Sequence, residues 1–221
     1  MELTSIQICS LEAVREMDLS PYGGVITIED STIEDPFRIE YGPPEQLVLR
    51  FDDISAPHPE WIEPQEFHIE RALSFTNKIG DGALLIHCHA GISRSSAIAL
   101  AIIAKGLGEG KEIEAIKTLE KINPNARPNK SMVWMTDEIL GRNMKLYKTA
   151  YKNLWLTNWC ALFPELHPHP ILSTHTEYSL SDFPYEKPDR HHLPDDCRAS
   201  WKCGGMSTKN LLNRNWLHEK R

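Results

Sequence analysis

The chain has 221 residues, of which 41% are hydrophobic and 25% charged, and its formal net charge is −7. This composition is typical of a globular protein, and the negative balance argues against nucleic acid or an anionic membrane surface as a partner. We expect no membrane span, because no apolar run reaches roughly 20 residues. We also expect no signal peptide. The chain has five cysteines, an odd number, which favours a reduced, cytoplasmic protein.

Short β-rich segments dominate the first third of the chain. The first, SIQICS, alternates apolar and polar residues, and Ser10 is placed to cap a helix that follows it. Further strands are predicted at GGVITIED, QLVLRF and ALLIH. Between the last two, residues 64–78 space Phe67, Ile69 and Leu73 as one helix face would.

Helical patterns take over after the last of these strands. The segment SSAIALAIIAKG is apolar on nearly every side, which predicts a buried helix that ends at Gly106. Two further helices are predicted at KEIEAIKTLEKI, with Ile113 and Ile116 on one stripe, and at SMVWMTDEILGRNMKLY. Alternating strands and helices predict an α/β fold, with a central, mostly parallel sheet of four to five strands flanked by helices.

We place this domain at residues 1–150 and predict a C-terminal extension beyond it. Residues 151–163, with two tryptophans, are predicted to dock on the domain, and residues 164–221 are predicted to be a flexible tail. The histidines and cysteines of the tail fit no standard zinc-binding spacing, so no metal is expected there. A chain that ends near residue 163 should fold, because every candidate site residue precedes that point.

The segment LLIHCHAGISRSS contains the candidate nucleophile and the candidate anion-binding residues. It places Cys88 at the end of a buried strand and Ser95 in the first turn of a buried helix. The backbone N–H groups of residues 89–94 can then surround one anion, with Gly91 allowing the tight turn. Arg94 adds a planar fork that suits two phosphate oxygens. The same field stabilises a thiolate, so the pattern predicts a nucleophilic cysteine beneath a phosphate site.

HCHAGISRS resembles the HC-x5-R-S signature of the cysteine-based protein phosphatases, and it is most similar to the dual-specificity branch. The resemblance extends over roughly residues 45–148 and includes Pro128 and Asn129. It implies a protein tyrosine phosphatase-like fold and hydrolysis of phosphotyrosine, with phosphoserine and phosphothreonine left open, through a phosphocysteine and without a metal or cofactor. The substrate would be a phosphorylated protein or a small phosphomonoester. The implied phosphate-binding residues are His89, Ala90, Gly91, Ile92, Ser93 and Arg94.

The family also needs an upstream aspartic acid that protonates the leaving oxygen. The segment LRFDDISAPHPEW offers Asp53, with Asp52 as the rival. We prefer Asp53 because it stands further past the strand and fits the family spacing better. A positioned general acid contributes about 10²–10⁴-fold to a rate. The resemblance further implies that the hydroxyl of Ser95 stabilises the departing thiolate in the second step.

Other interpretations of the same residues remain open at this stage. His87 and His89 flank Cys88, but neighbours on a strand point to opposite faces, so a metal site there is not expected. Cys9 could act as a resolving partner of Cys88 under oxidation, although a small core residue is the better interpretation. The alternatives to a phosphatase are a non-catalytic phosphate-binding module and a rhodanese-like or redox cysteine protein. Nothing in the sequence indicates the oligomeric state.

Overall fold

A four-stranded, wholly parallel sheet forms the centre of the protein in a computed structural model that describes residues 5–79 and 82–156. The strand order is β1-β4-β2-β3. This arrangement confirms the predicted α/β class and the four-to-five-strand parallel sheet. The strands are β1 (Ile6–Ser10), β2 (Tyr22–Glu29), β3 (Glu45–Arg50) and β4 (Ala83–Cys88).

Six helices and one π-helical segment accompany the sheet within the described part of the chain. They are α1 (Leu11–Arg15), α2 (Glu66–Phe75), α3 (Arg94–Leu107), α4 (Glu112–Ile122), α5 (Lys130–Ile139), α6 (Lys145–Ala150) and the π-helix Tyr151–Leu156. None of these described helices is both long and apolar enough to span a bilayer. The predicted tail, residues 164–221, and residues 157–163 lie outside the described residues.

The two faces of the sheet bury different cores, because alternate side chains of a strand point to opposite sides. In β4, Leu84, Ile86 and Cys88 face the larger core, which contains α2 to α6. Leu85 faces a smaller core with Val14 and Val25. The cysteine at the end of β4 is therefore embedded in the larger core.

Two of the helix boundaries predicted from the sequence differ from those in the structure. Gly106 lies inside α3, which continues to Leu107, and Gly108 caps the helix with a φ of 87°. A glycine ends a helix only where the backbone turns left-handed, and Gly106 does not do so. The single helix predicted after residue 130 is divided into α5 and α6 by a turn that contains Gly141, with a φ of 64°.

Two apolar residues that the helical spacing assigned to buried faces are exposed. Phe67 in α2 is 50% exposed and Ile113 in α4 is 59% exposed. Each stands in the first turn of its helix, where the neighbouring residue, His68 in α2 and Glu112 in α4, is buried instead. The rest of both predicted faces is buried, including Ile69, Leu73 and Ile116.

Candidate active site

Cys88 ends β4 with its thiol enclosed by the turn that follows. The residue is only 2% exposed. Its Sγ lies 3.2 Å from Oγ of Ser95 and accepts a hydrogen bond from the backbone N–H of Gly91 at 3.3 Å. Two polar groups therefore already point at the sulfur from the loop and from the first turn of α3.

Gly91 allows the loop to pass close to the end of β1. It has a φ of +73°, and a Cβ at this position would lie 2.7 Å from the carbonyl carbon and oxygen of Cys9. Its own carbonyl accepts a hydrogen bond of 2.8 Å from the side-chain amide of Asn123 in the connection after α4. Glycine is thus required both by the backbone conformation and by the available space.

Arg94 is the first residue of α3, and protein contacts hold one side of its guanidinium group. Its Nη1 donates to the carbonyl oxygen of Phe51 at 2.8 Å and forms an ion pair with Asp30 at 2.8 Å. Its Nε is buried and has no hydrogen-bond partner among the described residues, although a carboxylate oxygen of Asp53 lies 3.9 Å away. One edge of the guanidinium is therefore anchored, and the Nε edge is left to bind two oxygens of an anion.

Asp53 lies beside this loop and is fixed by side chains from two other segments. Its Oδ1 accepts hydrogen bonds from Oγ of Ser93 at 2.7 Å and from Nδ2 of Asn129 at 2.9 Å. Its side chain is 37% exposed, so it remains accessible from solvent. The structure thus brings Asp53 together with Arg94 at the edge of the candidate phosphate site.

The side chain of Asp52 binds Ser31 and Ile62 rather than the groups that hold Asp53. It is 8% exposed and accepts hydrogen bonds from the backbone and hydroxyl of Ser31 and from the backbone N–H of Ile62. Burial alone would raise the pKa of its carboxyl, but these donors and the charge of Arg94 outweigh it and lower that pKa. Asp52 is therefore a structural acceptor in the described structure.

The two histidines beside Cys88 have different surroundings. His87 is 1% exposed, and its Nε2 lies 2.9 Å from the hydroxyl of Thr27. Burial lowers the pKa of His87 to about 4, so its ring is neutral near pH 7. His89 is exposed at the rim, with Nδ1 4.0 Å from Asp30. No cluster of metal-binding side chains occurs in residues 5–79 and 82–156.

The remaining predicted loop residues line the rim, and Cys9 lies on the other side of the sheet. Ala90 and Ile92 are exposed, and Ser93 is partly buried. Cys9 pairs with His87 along the parallel ladder and packs in the smaller core, whereas Cys88 faces the larger one. Burial, followed by the proximity of Cys88, raises the pKa of Cys9 to about 11. These features favour the core-residue interpretation over a resolving cysteine.

Several contacts of the site were not predicted from the sequence, among them those of Asp30 and Asn129. Asp30 follows β2 and pairs with Arg94, and its position after a buried parallel strand was the available signal, because such strands end at one edge of a sheet. Asn129 was noted only within the Pro128–Asn129 pair, without a role. It joins the carboxylate of Asp53 to the start of α5, where its side chain also caps the helix.

A parallel sheet whose last-described strand carries a cysteine into a tight turn at the start of a buried helix is the arrangement that the resemblance to the cysteine-based phosphatases implies. Comparison with known proteins agrees. The chain is 33% identical to rat dual specificity protein phosphatase 12 over 107 residues, which cover 47% of this chain and 31% of that protein. It is 27% identical to the human protein of the same name over 163 residues, which cover 72% of this chain and 46% of that protein.

The chain therefore spans less than half the length of these curated relatives. The crystal structure of DUSP15 aligns with a TM-score of 0.47 and 21% identity over 70% of this chain and 95% of that chain. No protein-family model matches the sequence. The named relatives confirm the resemblance inferred from HCHAGISRS: the chain has a dual-specificity phosphatase-like cysteine phosphatase fold.

Proposed function

We propose that the protein is a cytoplasmic phosphatase that hydrolyses phosphotyrosine in proteins, with phosphoserine and phosphothreonine as further substrates. One observation carries the proposal. The buried thiol of Cys88 receives a hydrogen bond from the backbone of Gly91 and contacts the hydroxyl of Ser95. The same turn presents the Nε of Arg94, which has no hydrogen-bond partner within the described part of the chain. This arrangement supports the proposal that a nucleophile and an anion-binding group share one site.

In the first step, the thiolate of Cys88 attacks the phosphorus of the substrate. Backbone N–H groups of residues 89–94 and the Nε edge of Arg94 bind the non-bridging oxygens, whose charge needs no metal ion to balance it. The S–P bond forms as the P–O bond to the leaving group breaks. Asp53 donates its proton to that leaving oxygen.

In the second step, water attacks the phosphocysteine. The carboxylate of Asp53 takes a proton from this water as its oxygen bonds to phosphorus, and the S–P bond breaks to release inorganic phosphate. The sulfur of Cys88 leaves as a thiolate, and the hydroxyl of Ser95 and the N–H of Gly91 are positioned to stabilise it. The enzyme then returns to its starting state with Asp53 protonated.

Three features favour this function over its alternatives. Asp53 lies next to the loop with its carboxylate held by Ser93 and Asn129, whereas sulfur transfer by a rhodanese-like cysteine has no use for such an acid. A non-catalytic phosphate-binding module has no need of a buried thiol with a hydroxyl beside it. Residues 89–93 contain no lysine, although phosphoinositide phosphatases commonly add lysines to this loop.

The test is turnover of a phosphotyrosine peptide panel by the wild-type protein and by Cys88→Ser. We expect the variant to lose on the order of 10⁴-fold or more in kcat, because a serine hydroxyl is not ionised at neutral pH. It should still bind phosphopeptides, because the amides and Arg94 remain. Cys9→Ser is the matched control and should keep its activity, since Cys9 packs on the opposite face of the sheet. Turnover by Cys88→Ser near the wild-type rate would place the nucleophile elsewhere.

A further inference from the structure

Three large apolar side chains lie exposed within a short stretch of chain that leads into α2. Trp61 is 52% exposed, and Ile62 and Phe67 are each 50% exposed. Single exposed apolar residues are normal on a protein surface, but a group of large ones indicates an interaction site. We refer to these three side chains as the apolar surface.

Two consecutive buried residues, Phe51 and Asp52, anchor both ends of the apolar surface. The carboxylate of Asp52 accepts a hydrogen bond of 2.7 Å from the N–H of Ile62, and the carbonyl of Ile62 accepts one of 2.7 Å from the N–H of Asp52. The ring centroid of Phe67 lies 3.9 Å from that of His68, which lies 4.5 Å from that of Phe51. Ile62 and Phe67 are therefore held beside one another.

The turn that precedes Ile62 orders the side chain of Trp61. The N–H of Trp61 donates to the carbonyl of His58 at 3.3 Å, and the N–H of Glu60 donates to Nδ1 of His58 at 3.3 Å. The rings of His58 and Trp61 lie 4.6 Å apart. An indole that is ordered in the free protein loses less conformational entropy when a partner covers it, so the apolar surface is preorganised for binding.

Carboxylates surround the apolar surface. Glu60 and Glu63 stand on either side of residues 61–62 in the chain, and Glu70 lies one helical turn after Phe67 in α2. No ion pair within the described part of the chain engages any of these three glutamates. Residues 58–71 contain four glutamates and one arginine, so the charge around the apolar surface is negative and attracts cations.

We propose that the apolar surface and its glutamates bind a segment of a partner protein in which apolar side chains stand next to lysine or arginine. The apolar side chains of that segment would cover Trp61, Ile62 and Phe67, and its cations would pair with the glutamates. The negative charge disfavours the other occupants, because it repels an anionic membrane and a second copy of the same surface. The inference goes beyond the proposed phosphatase function, since this binding requires no turnover.

The test begins with a library of random short peptides, displayed on phage and selected on the full wild-type chain. We expect the selected peptides to combine aromatic or aliphatic residues with lysine or arginine. The double variant Trp61→Ser, Phe67→Ser should bind them at least about tenfold more weakly, because buried aromatic residues dominate the affinity of an interface. Ile113→Ser is the matched control and should bind as the wild type does, since Ile113 is 59% exposed but belongs to α4.

The charges are tested by the triple variant Glu60→Gln, Glu63→Gln, Glu70→Gln, which keeps the apolar surface. Fluorescence anisotropy of the labelled peptides should show a Kd that rises on the order of tenfold for three exposed charge pairs. Added salt should weaken binding to the wild type more than binding to this variant. Glu120→Gln, which replaces an exposed glutamate of α4, should leave the Kd unchanged.

A selection that gives no specific peptide, or peptides whose Kd is the same in the double variant, would overturn the inference. Selected peptides without an excess of lysine and arginine would overturn it as well. Self-association of the wild type in sedimentation velocity, abolished in the double variant, would assign the surface to a second copy instead. Cys88→Ser should bind the peptides as the wild type does, so a wild-type protein that binds them but hydrolyses no phosphomonoester contradicts the proposed function alone.

Discussion

The catalytic loop, residues 88–95, and the acid loop, residues 52–63, meet at the candidate site but are constructed differently. Cys88, Arg94 and Ser95 are each no more than 3% exposed. In the acid loop, Asp53 has a side chain that is 37% exposed, and Trp61 is 52% exposed. The proposed nucleophile and the proposed phosphate-binding cation are parts of the protein core, whereas the proposed acid is held at the surface by polar side chains.

The difference matches what each group must do. Stabilising a thiolate and a phosphate requires dipoles and charges that do not reorganise during the reaction, and a buried loop provides them. Delivering a proton requires access to the leaving group and then to water, which a surface loop allows. Substitutions in the catalytic loop should therefore impair binding, chemistry and stability together. Substitutions in the acid loop should act in a way that depends on the substrate.

The substitution Arg94→Lys tests the buried catalytic loop in this comparison. The lysine keeps the charge but cannot contact Phe51, Asp30 and two phosphate oxygens at once. We expect kcat/KM to fall by about 10²–10³-fold for every substrate, whatever its leaving group. Steady-state kinetics on aryl phosphates of graded leaving-group pKa would measure this. A loss of less than about tenfold would show that the arginine is only structural.

The acid loop is tested by Asp53→Asn. We expect a loss of roughly 10²-fold or more for phosphotyrosine peptides and a much smaller loss for an aryl phosphate that leaves without a proton. Steady-state kinetics on both substrates would measure the two losses.

Asp52→Asn is the control for that experiment. Its carboxylate accepts hydrogen bonds from Ser31 and Ile62, so its replacement should lower the free energy of unfolding by about 1–3 kcal/mol. It should leave the dependence on the leaving group intact. If the leaving-group dependence appears in Asp52→Asn and not in Asp53→Asn, the acid has been assigned to the wrong residue.

A third test concerns the close packing of the catalytic loop. Gly91→Ala combines a left-handed φ with a clash against the backbone of Cys9, whereas Gly110→Ala has a similar φ of +81° and nothing within 4 Å. The second variant therefore isolates the backbone strain. We expect Gly91→Ala to lose about 2 kcal/mol more than Gly110→Ala in urea unfolding, because the added methyl overpacks the site. Equal losses would mean that the loop yields easily and is not rigid.

The smallest expected effect is a pH dependence that both regions share, since a buried neutral histidine lies next to each of them. Burial lowers the pKa of His87, beside the catalytic loop, to about 4. Burial and then the charge of Arg71 lower the pKa of His68, which stacks on Phe51, to about 4. Between about pH 6.5 and pH 4 the unfolded chain binds more protons than the folded one, so stability falls as the pH falls.

From pH 7 to pH 6 we expect the two histidines together to remove on the order of 1 kcal/mol from the free energy of unfolding. Urea unfolding at both values measures the loss, and NMR titration of the ring protons assigns it. His68→Gln should show a shallower dependence than the wild-type protein. Ring signals of His87 that titrate near pH 6.5 would contradict the neutral, buried state.

Much of the candidate site could be predicted because its groups are adjacent in the chain. Cys88, Gly91, Arg94 and Ser95 fall within eight residues, and a strand followed by a buried helix forces them around one centre. Contacts between distant segments were missed. The pairing of Asp30 with Arg94 and the bond from Asn129 to Asp53 join residues that are 64 and 76 positions apart.

The sequence by itself determined the α/β class, the four strands and the turn between Cys88 and α3, because periodicity and local spacing act over a few residues. Only the tertiary structure decided which aspartate faces the site, since Asp52 and Asp53 are neighbours whose environments differ through contacts with Ser31 and Asn129. It also decided that Cys9 and Cys88 lie on opposite faces of the sheet. Such outcomes depend on strand order and register, which pair residues that no local pattern relates.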